Sequence, residues 1–101
     1  MTMEGSYAWE KLQIAVDILA EDLSPLRERF EDAYVSSLMR LKPDEHFPWP
    51  DLRQSFEDLM RDLVPDGSIS AALSERSEED LQRIADDIVS LNDRVLRRMN
   101  G

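Results

Sequence analysis

Apolar residues recur along this chain at helical intervals, in blocks separated by proline and polar breaks. In the first block Trp9, Leu12, Val16, Leu19 and Leu23 step by 3, 4, 3 and 4 residues. That stripe predicts a helix over residues 6–22, preceded by residues 1–6, which can form a flexible tail. Ile14 and Ile18 fall off the stripe, so the apolar arc is broad. A helix with such an arc is either central in a bundle or partly covered by a second chain. Ser24-Pro25 then punctuates the chain, Ser24 as a cap and Pro25 at the first helical position. Leu26, Phe30, Ala33 or Tyr34, Ser37 or Leu38, and Leu41 form the inner face of a second predicted helix, over 25–41. Ser36 and Ser37 are small and polar where another helix could approach closely.

Lys42 to Pro50 reads KPDEHFPWP. Its prolines exclude a helix over the whole segment on local rules, leaving a stiff loop that carries Phe47 and Trp49. These aromatics either plug the end of the bundle, the favoured reading, or form an exposed docking element. Leu52, Phe56, Leu59 and Leu63 step by 4, 3 and 4, predicting a third helix over 51–64 with an Arg53–Glu57–Arg61 ladder outside. Pro65-Asp66-Gly67 makes a turn, and residues 68–73 can add one short helical turn. Ser77-Glu78-Glu79-Asp80 has the shape of a capping box. It opens a last helix over 78–99, in which Leu81, Ile84, Ile88, Leu91 and Val95 step by 3, 4, 3 and 4, flanked by Ala85, Asn92 and Leu96. No period-two alternation appears. The prediction is an all-α single domain over residues 1–101: a compact four-helix bundle with short loops and one Pro/aromatic loop.

Composition narrows the chemistry. With 101 residues the chain holds one domain, and 42 % hydrophobic content can build its core. The absence of cysteine excludes a disulfide scaffold, a thiolate zinc site and a cysteine nucleophile. No apolar run approaches the length of a membrane span, and residues 1–7 lack the pattern of a secretory leader, so a cytoplasmic location is expected. Asp and Glu total 22 against 12 Lys and Arg, a formal net charge of −10. That charge disfavours direct binding to nucleic acid or anionic membrane, which needs basic residues to neutralise phosphate. The same acidity could imitate nucleic acid towards a basic channel, although Arg interrupts the acidic tracks of helices two, three and four. Acids concentrate over residues 66–87 and bases at Arg94, Arg97 and Arg98, the polarity that favours a helix macrodipole.

His46 is the one imidazole. Asp44 and Glu45 could orient it, but no nucleophile stands at helical spacing from it. Paired acids such as Glu78-Glu79-Asp80 and Asp86-Asp87 diverge by about 100° on a helix. No metal and no cofactor is expected, because no Ca²⁺ loop, Glu-x-x-His pair or phosphate-cradling glycine loop is present. Arg40 and His46, with five residues between them, resemble the Arg-spacer-His motif of the HEPN ribonucleases, small helical domains that act as dimers. The resemblance implies acid-base cleavage by His46 next to a 2′-hydroxyl. Here Leu41 follows the arginine and Pro43 intervenes, both departures from that pattern.

A wider set of residues resembles a group of small bacterial all-helical proteins with no known activity. It comprises Leu26-Arg27-Glu28-Arg29-Phe30, Ala33-Tyr34, Leu38, Leu41, Pro43, Pro50-Asp51-Leu52-Arg53, Phe56, Leu59, Ile84-Ala85, Ile88-Val89-Ser90-Leu91 and Asp93. This likeness implies fold and location, and it singles out Arg27, Arg29, Tyr34 and Arg53 as polar or amphipathic positions that either make salt bridges and caps within the bundle or serve contact. The expected function is non-enzymatic: a protein-contact module, working as a homodimer or as a small subunit of an assembly. Its expected contact residues are Trp9, Ile14, Ile18, Tyr34, Phe47, Trp49 and Arg53. An acidic nucleic-acid mimic and a HEPN-like ribonuclease are the alternatives.

Overall fold

The structure, a computed structural model, describes residues 5–21, 24–65 and 67–100. Leu23 of the first apolar stripe, Asp66 of the proline turn and residues 1–4 of the expected tail lie outside these. Every regular element among the described residues is helical: α1 Ser6–Ala20, α2 Leu26–Ser36, a 3₁₀ turn Leu38–Arg40, α3 Pro43–His46, α4 Pro50–Leu63, α5 Ile69–Glu75 and α6 Glu78–Asn100. The all-α class holds. The expected count of four helices is not what the structure has: six α-helices stand among the described residues, α3 and α5 being short.

α6 is the shared spine, packing against α1, α2 and α4, while α1 also packs along α2. The core between them is built from the stripes: Leu12, Phe30, Phe56, Ile84, Ile88 and Val95 are each at most 1 % exposed. At roughly 25 cal/mol per Å² of apolar surface, burial on this scale dominates the favourable side of folding.

The ends of the helices show where sequence rules applied and where they needed correction. Gly5 and Ser6 belong to the start of α1 rather than to a tail: Gly5 takes a left-handed φ of 83° as its N-terminal cap. Pro25 caps α2 in an extended conformation, and its carbonyl receives the N–H of Arg29, so the helix starts one residue later than expected. The second helix does not run through to residue 41. At Ser37 the backbone departs to φ −141°, ψ −51°, and the buried Ser37 hydroxyl donates to the carbonyl of Ala33 at 3.0 Å. That side-chain bond competes with the helical ladder, and Pro43 disfavours helical geometry at Lys42. The 3₁₀ turn that follows places Leu38 and Leu41 in the core.

The segment 42–50 also differs from the expectation that it excludes a helix. Pro43 occupies the first turn of α3, where no amide donor is required. Asp44 and Glu45 face its positive end, and the Nδ1 of His46 accepts the N–H of Lys42 at 2.9 Å. Pro48 and Pro50 forbid continuation, so α3 is one turn long. Serine caps open the last two helices, the one at Ser77 as the sequence predicts. Ser68 Oγ accepts from the N–H of Ala71, and Ser77 Oγ accepts from that of Asp80 at 3.1 Å.

Candidate interaction surface

The seven residues expected to make contacts divide by burial. Phe47 is fully buried and stacks on Phe56 with ring centroids 4.8 Å apart, so it is the plug and not the exposed docking element. Trp9, Ile18, Tyr34 and Trp49 are half-buried and pack against the core. The broad apolar arc of α1 is therefore largely covered by its own chain, because α2 and α6 flank both sides of it. Ile14 is half-buried on the remaining flank. Trp49 lies directly over Gly5: a Cβ added there would sit 2.3 Å from its Cη2. The indole N–H of Trp9 is buried without an acceptor.

Arg53 is not part of an outer ladder. Its Nε and Nη2 both donate to the carbonyl of Phe47, at 3.2 and 3.0 Å, which fixes the aromatic loop to α4. Arg61 pairs instead with Asp58, at 3.1 Å. Two other arginines are used in the same way as Arg53. Arg29 donates to the carbonyls of Leu19 and Ser24, closing the connection between α1 and α2. Arg27 donates to the carbonyl of Arg76 at 2.8 Å, at the break between α5 and α6. Helix ends leave carbonyls without partners, and a guanidinium can hold one while its stem covers apolar surface.

His46 is turned to the inside of its own short helix. It packs against Tyr7, with centroids 4.2 Å apart and the rings tilted by 35°, and its Nδ1 accepts from the Lys42 amide. Arg40 donates to the Ser36 carbonyl. The two residues of the HEPN-like motif thus have separate hydrogen-bond partners. Among the described residues no group of three or more His, Asp or Glu converges.

A groove of about 310 Å³ runs between α4 and α6, lined by Ser55, Asp58, Asp62, Asp87, Ser90 and Arg94 along with Leu59 and Leu91. Its acids are engaged: Asp62 with Arg83 at 3.1 Å and with Arg76 at 3.5 Å, and Asp87 with Arg83 at 3.6 Å. The Arg83 guanidinium is accordingly held charged even more firmly than usual, first by its hydrogen bond to Asp62. Arg94 donates to Ser55 Oγ across the groove. A smaller cleft of about 170 Å³ lies between α2 and α5, lined by Arg27, Glu28, Glu31, Ser70, Leu73 and Ser74.

Charge pairing is lopsided across the molecule. Among the described residues the ion pairs all lie within residues 42–98, and none involves α1 or α2. The cations of that half are occupied otherwise, Arg27 and Arg29 on main-chain carbonyls and Lys11 over the ring of Tyr7. Among the described residues Glu28, Glu31 and Asp32 of α2 have no cationic partner, and Asp32 accepts from the Ser36 hydroxyl at 3.1 Å. Two large apolar residues are exposed nearby: Val35 on α2 at 50 % and Met39, in the turn beyond the break at Ser37, at 55 %. The contact residues expected from sequence lie on α1, on the aromatic loop, and at Tyr34 of α2 and Arg53 of α4. The signal at Val35 and Met39 was present only as two apolar residues outside the inner stripe.

The chain matches no protein-family model, no curated protein and no solved structure.

Proposed function

We propose that this chain is a protein-contact module that acts in the cytoplasm, either as a homodimer or as a small subunit of a larger assembly. One observation carries the reading: half-exposed Val35 on α2 and Met39 in the turn after it stand beside α2 carboxylates that have no ion-pair partner among the described residues. Scattered exposed apolar side chains are ordinary on a monomer. Here they stand close in sequence to exposed carboxylates without ion pairs, in a chain of net charge −10, a combination that favours contact with a cationic partner. A bound partner would cover the apolar side chains and balance the charge. Within the described residues no helix is long and apolar enough to cross a membrane, which agrees with an aqueous setting.

The test is size-exclusion chromatography with light scattering, combined with tagged capture from the native host. The expected result is a dimer or one stoichiometric partner that is lost from a Val35→Glu/Met39→Glu variant of unchanged helicity. A strict monomer that retains no partner at any concentration, or a partner equally retained by the variant, refutes the reading.

A further inference from the structure

We infer that the outer face of α2 receives a basic amphipathic helix of a partner protein. The inference rests on the protein-contact reading and names its occupant. Glu28, Asp32 and Val35 follow the i, i+4, i+7 spacing of a single helical stripe, and Met39 lies in the 3₁₀ turn beyond the break at Ser37, all four exposed. The stripe is therefore graded, acidic at the α2 N-terminus and apolar at its C-terminal end. Glu31 widens the acidic end towards the α2–α5 cleft.

Charge complementarity selects among possible occupants. A second copy would bring another chain of net charge −10 against this one. In a twofold-symmetric contact each acidic segment would face either its own equivalent or the apolar end of its mate, and neither arrangement supplies a cation. An anionic lipid surface is repelled for the same reason. A helix that carries apolar side chains one turn apart, with Lys or Arg a further turn or two along, covers Val35 and Met39 and neutralises Glu28 and Asp32 together. The local cations do not compete for these acids: Arg40 is bonded to the Ser36 carbonyl, and Lys42 pairs with Glu45.

The experiment titrates the full ¹⁵N-labelled chain with a synthetic Leu/Lys amphipathic peptide of about 18 residues, five helical turns. A Leu/Glu peptide of the same pattern is the control. Amide shifts are expected to cluster over residues 28–39, and binding should weaken about tenfold or more between about 50 and 300 mM salt. Val35→Ser/Met39→Ser and Glu28→Gln/Asp32→Gln should each lose about tenfold in affinity. All four positions are exposed, so the fold, checked by circular dichroism, should be unchanged.

Shifts centred on α4 and α6, equal binding of the Leu/Glu peptide, or no saturable shift up to about 1 mM peptide would overturn the inference. Concentration-dependent shifts over residues 28–39 in the protein alone would also overturn it. That outcome would assign the face to a second copy and leave the contact-module reading standing.

Discussion

The side-chain amide of Asn92 in α6 donates to the main-chain carbonyl of Trp9 in α1 at 3.2 Å, joining residues 83 positions apart. Asn92 is only 8 % exposed and stands in the middle of an otherwise apolar helix face. A buried amide is tolerated there because it has a partner, and that partner fixes the register of α1 on α6.

Replacing Asn92 tests this directly. Asn92→Ala should cost about 1–2 kcal/mol. Asn92→Asp should cost more at neutral pH, about 2–4 kcal/mol, because a carboxylate would face a carbonyl with no proton between them. The folded state would then favour the protonated acid, raising the pKa of the introduced group above its unfolded value. The penalty of Asn92→Asp is therefore full above the folded pKa and shrinks as pH falls through it. Urea unfolding at neutral and acidic pH measures the difference, and equal losses for the two variants at pH 7 would contradict the assignment.

Gly5 and Gly67 separate backbone strain from crowding. Both have positive φ, 83° and 79°. A Cβ at Gly67 meets nothing within 4 Å, whereas one at Gly5 runs into the Trp49 ring. Gly67→Ala should cost about 1 kcal/mol. Gly5→Ala should cost about 3 kcal/mol and displace Trp49. Thermal melts, with Trp49 fluorescence followed in a Trp9→Phe background, distinguish the two effects.

Arg53 and Phe47 should behave as a unit. Arg53→Lys loses the two-pronged grip on the Phe47 carbonyl and should cost about 1–2 kcal/mol. Phe47→Ala removes a fully buried ring and should cost about 3–5 kcal/mol. The double variant should lose less than the sum, by at least about 0.5 kcal/mol, because the loop that Arg53 holds no longer carries its plug. Strict additivity in denaturant titrations would mean that the two contacts are independent.

Asp51 and Arg98 tie the start of α4 to the end of α6 through two hydrogen bonds. The Arg98 hydrogen bond holds the Asp51 carboxyl below its ordinary value of 3.8, with Coulomb attraction to the same guanidinium adding to it. A depressed folded value means that the pair's contribution is present above pH 3.8 and is lost as pH falls through the folded pKa. Arg98→Gln should return Asp51 to its ordinary range, read from carboxyl carbon shifts in an acid titration. The pair is exposed to solvent, so the melting temperature at neutral pH should change little.

The periodic stripes made α1, α4 and α6 legible, since burying one face every 3.6 residues leaves that spacing in the chain. Ser77 was legible as a cap for an equally local reason, whereas the cap at Ser68 was not singled out. The error at α3 arose from applying one proline rule to a whole segment: Pro43 starts a turn, while Pro48 and Pro50 prevent its extension. The break at Ser37 depends on a hydroxyl bond to Ala33 together with the burial of Leu38 and Leu41, which a helical wheel does not weigh. The candidate surface was less legible still, because exposure at Val35 and Met39 is defined by what fails to cover them.

What the chain determines alone is the helical class, the positions of the long helices and the excess of negative charge, all properties of neighbouring residues or of simple sums. Tertiary structure decides which apolar residues are covered and how each arginine is used. Arg27, Arg29 and Arg53 look like surface cations in sequence, yet each reaches a carbonyl at a chain break, at distances of 5 to 49 positions for the bonds to Ser24, Phe47 and Arg76. Once those cations are committed to the backbone, the acids of α2 have no cationic partner among the described residues, Asp32 accepting only from the Ser36 hydroxyl. That imbalance arises from packing, because a charge is compensated by what lies beside it in space.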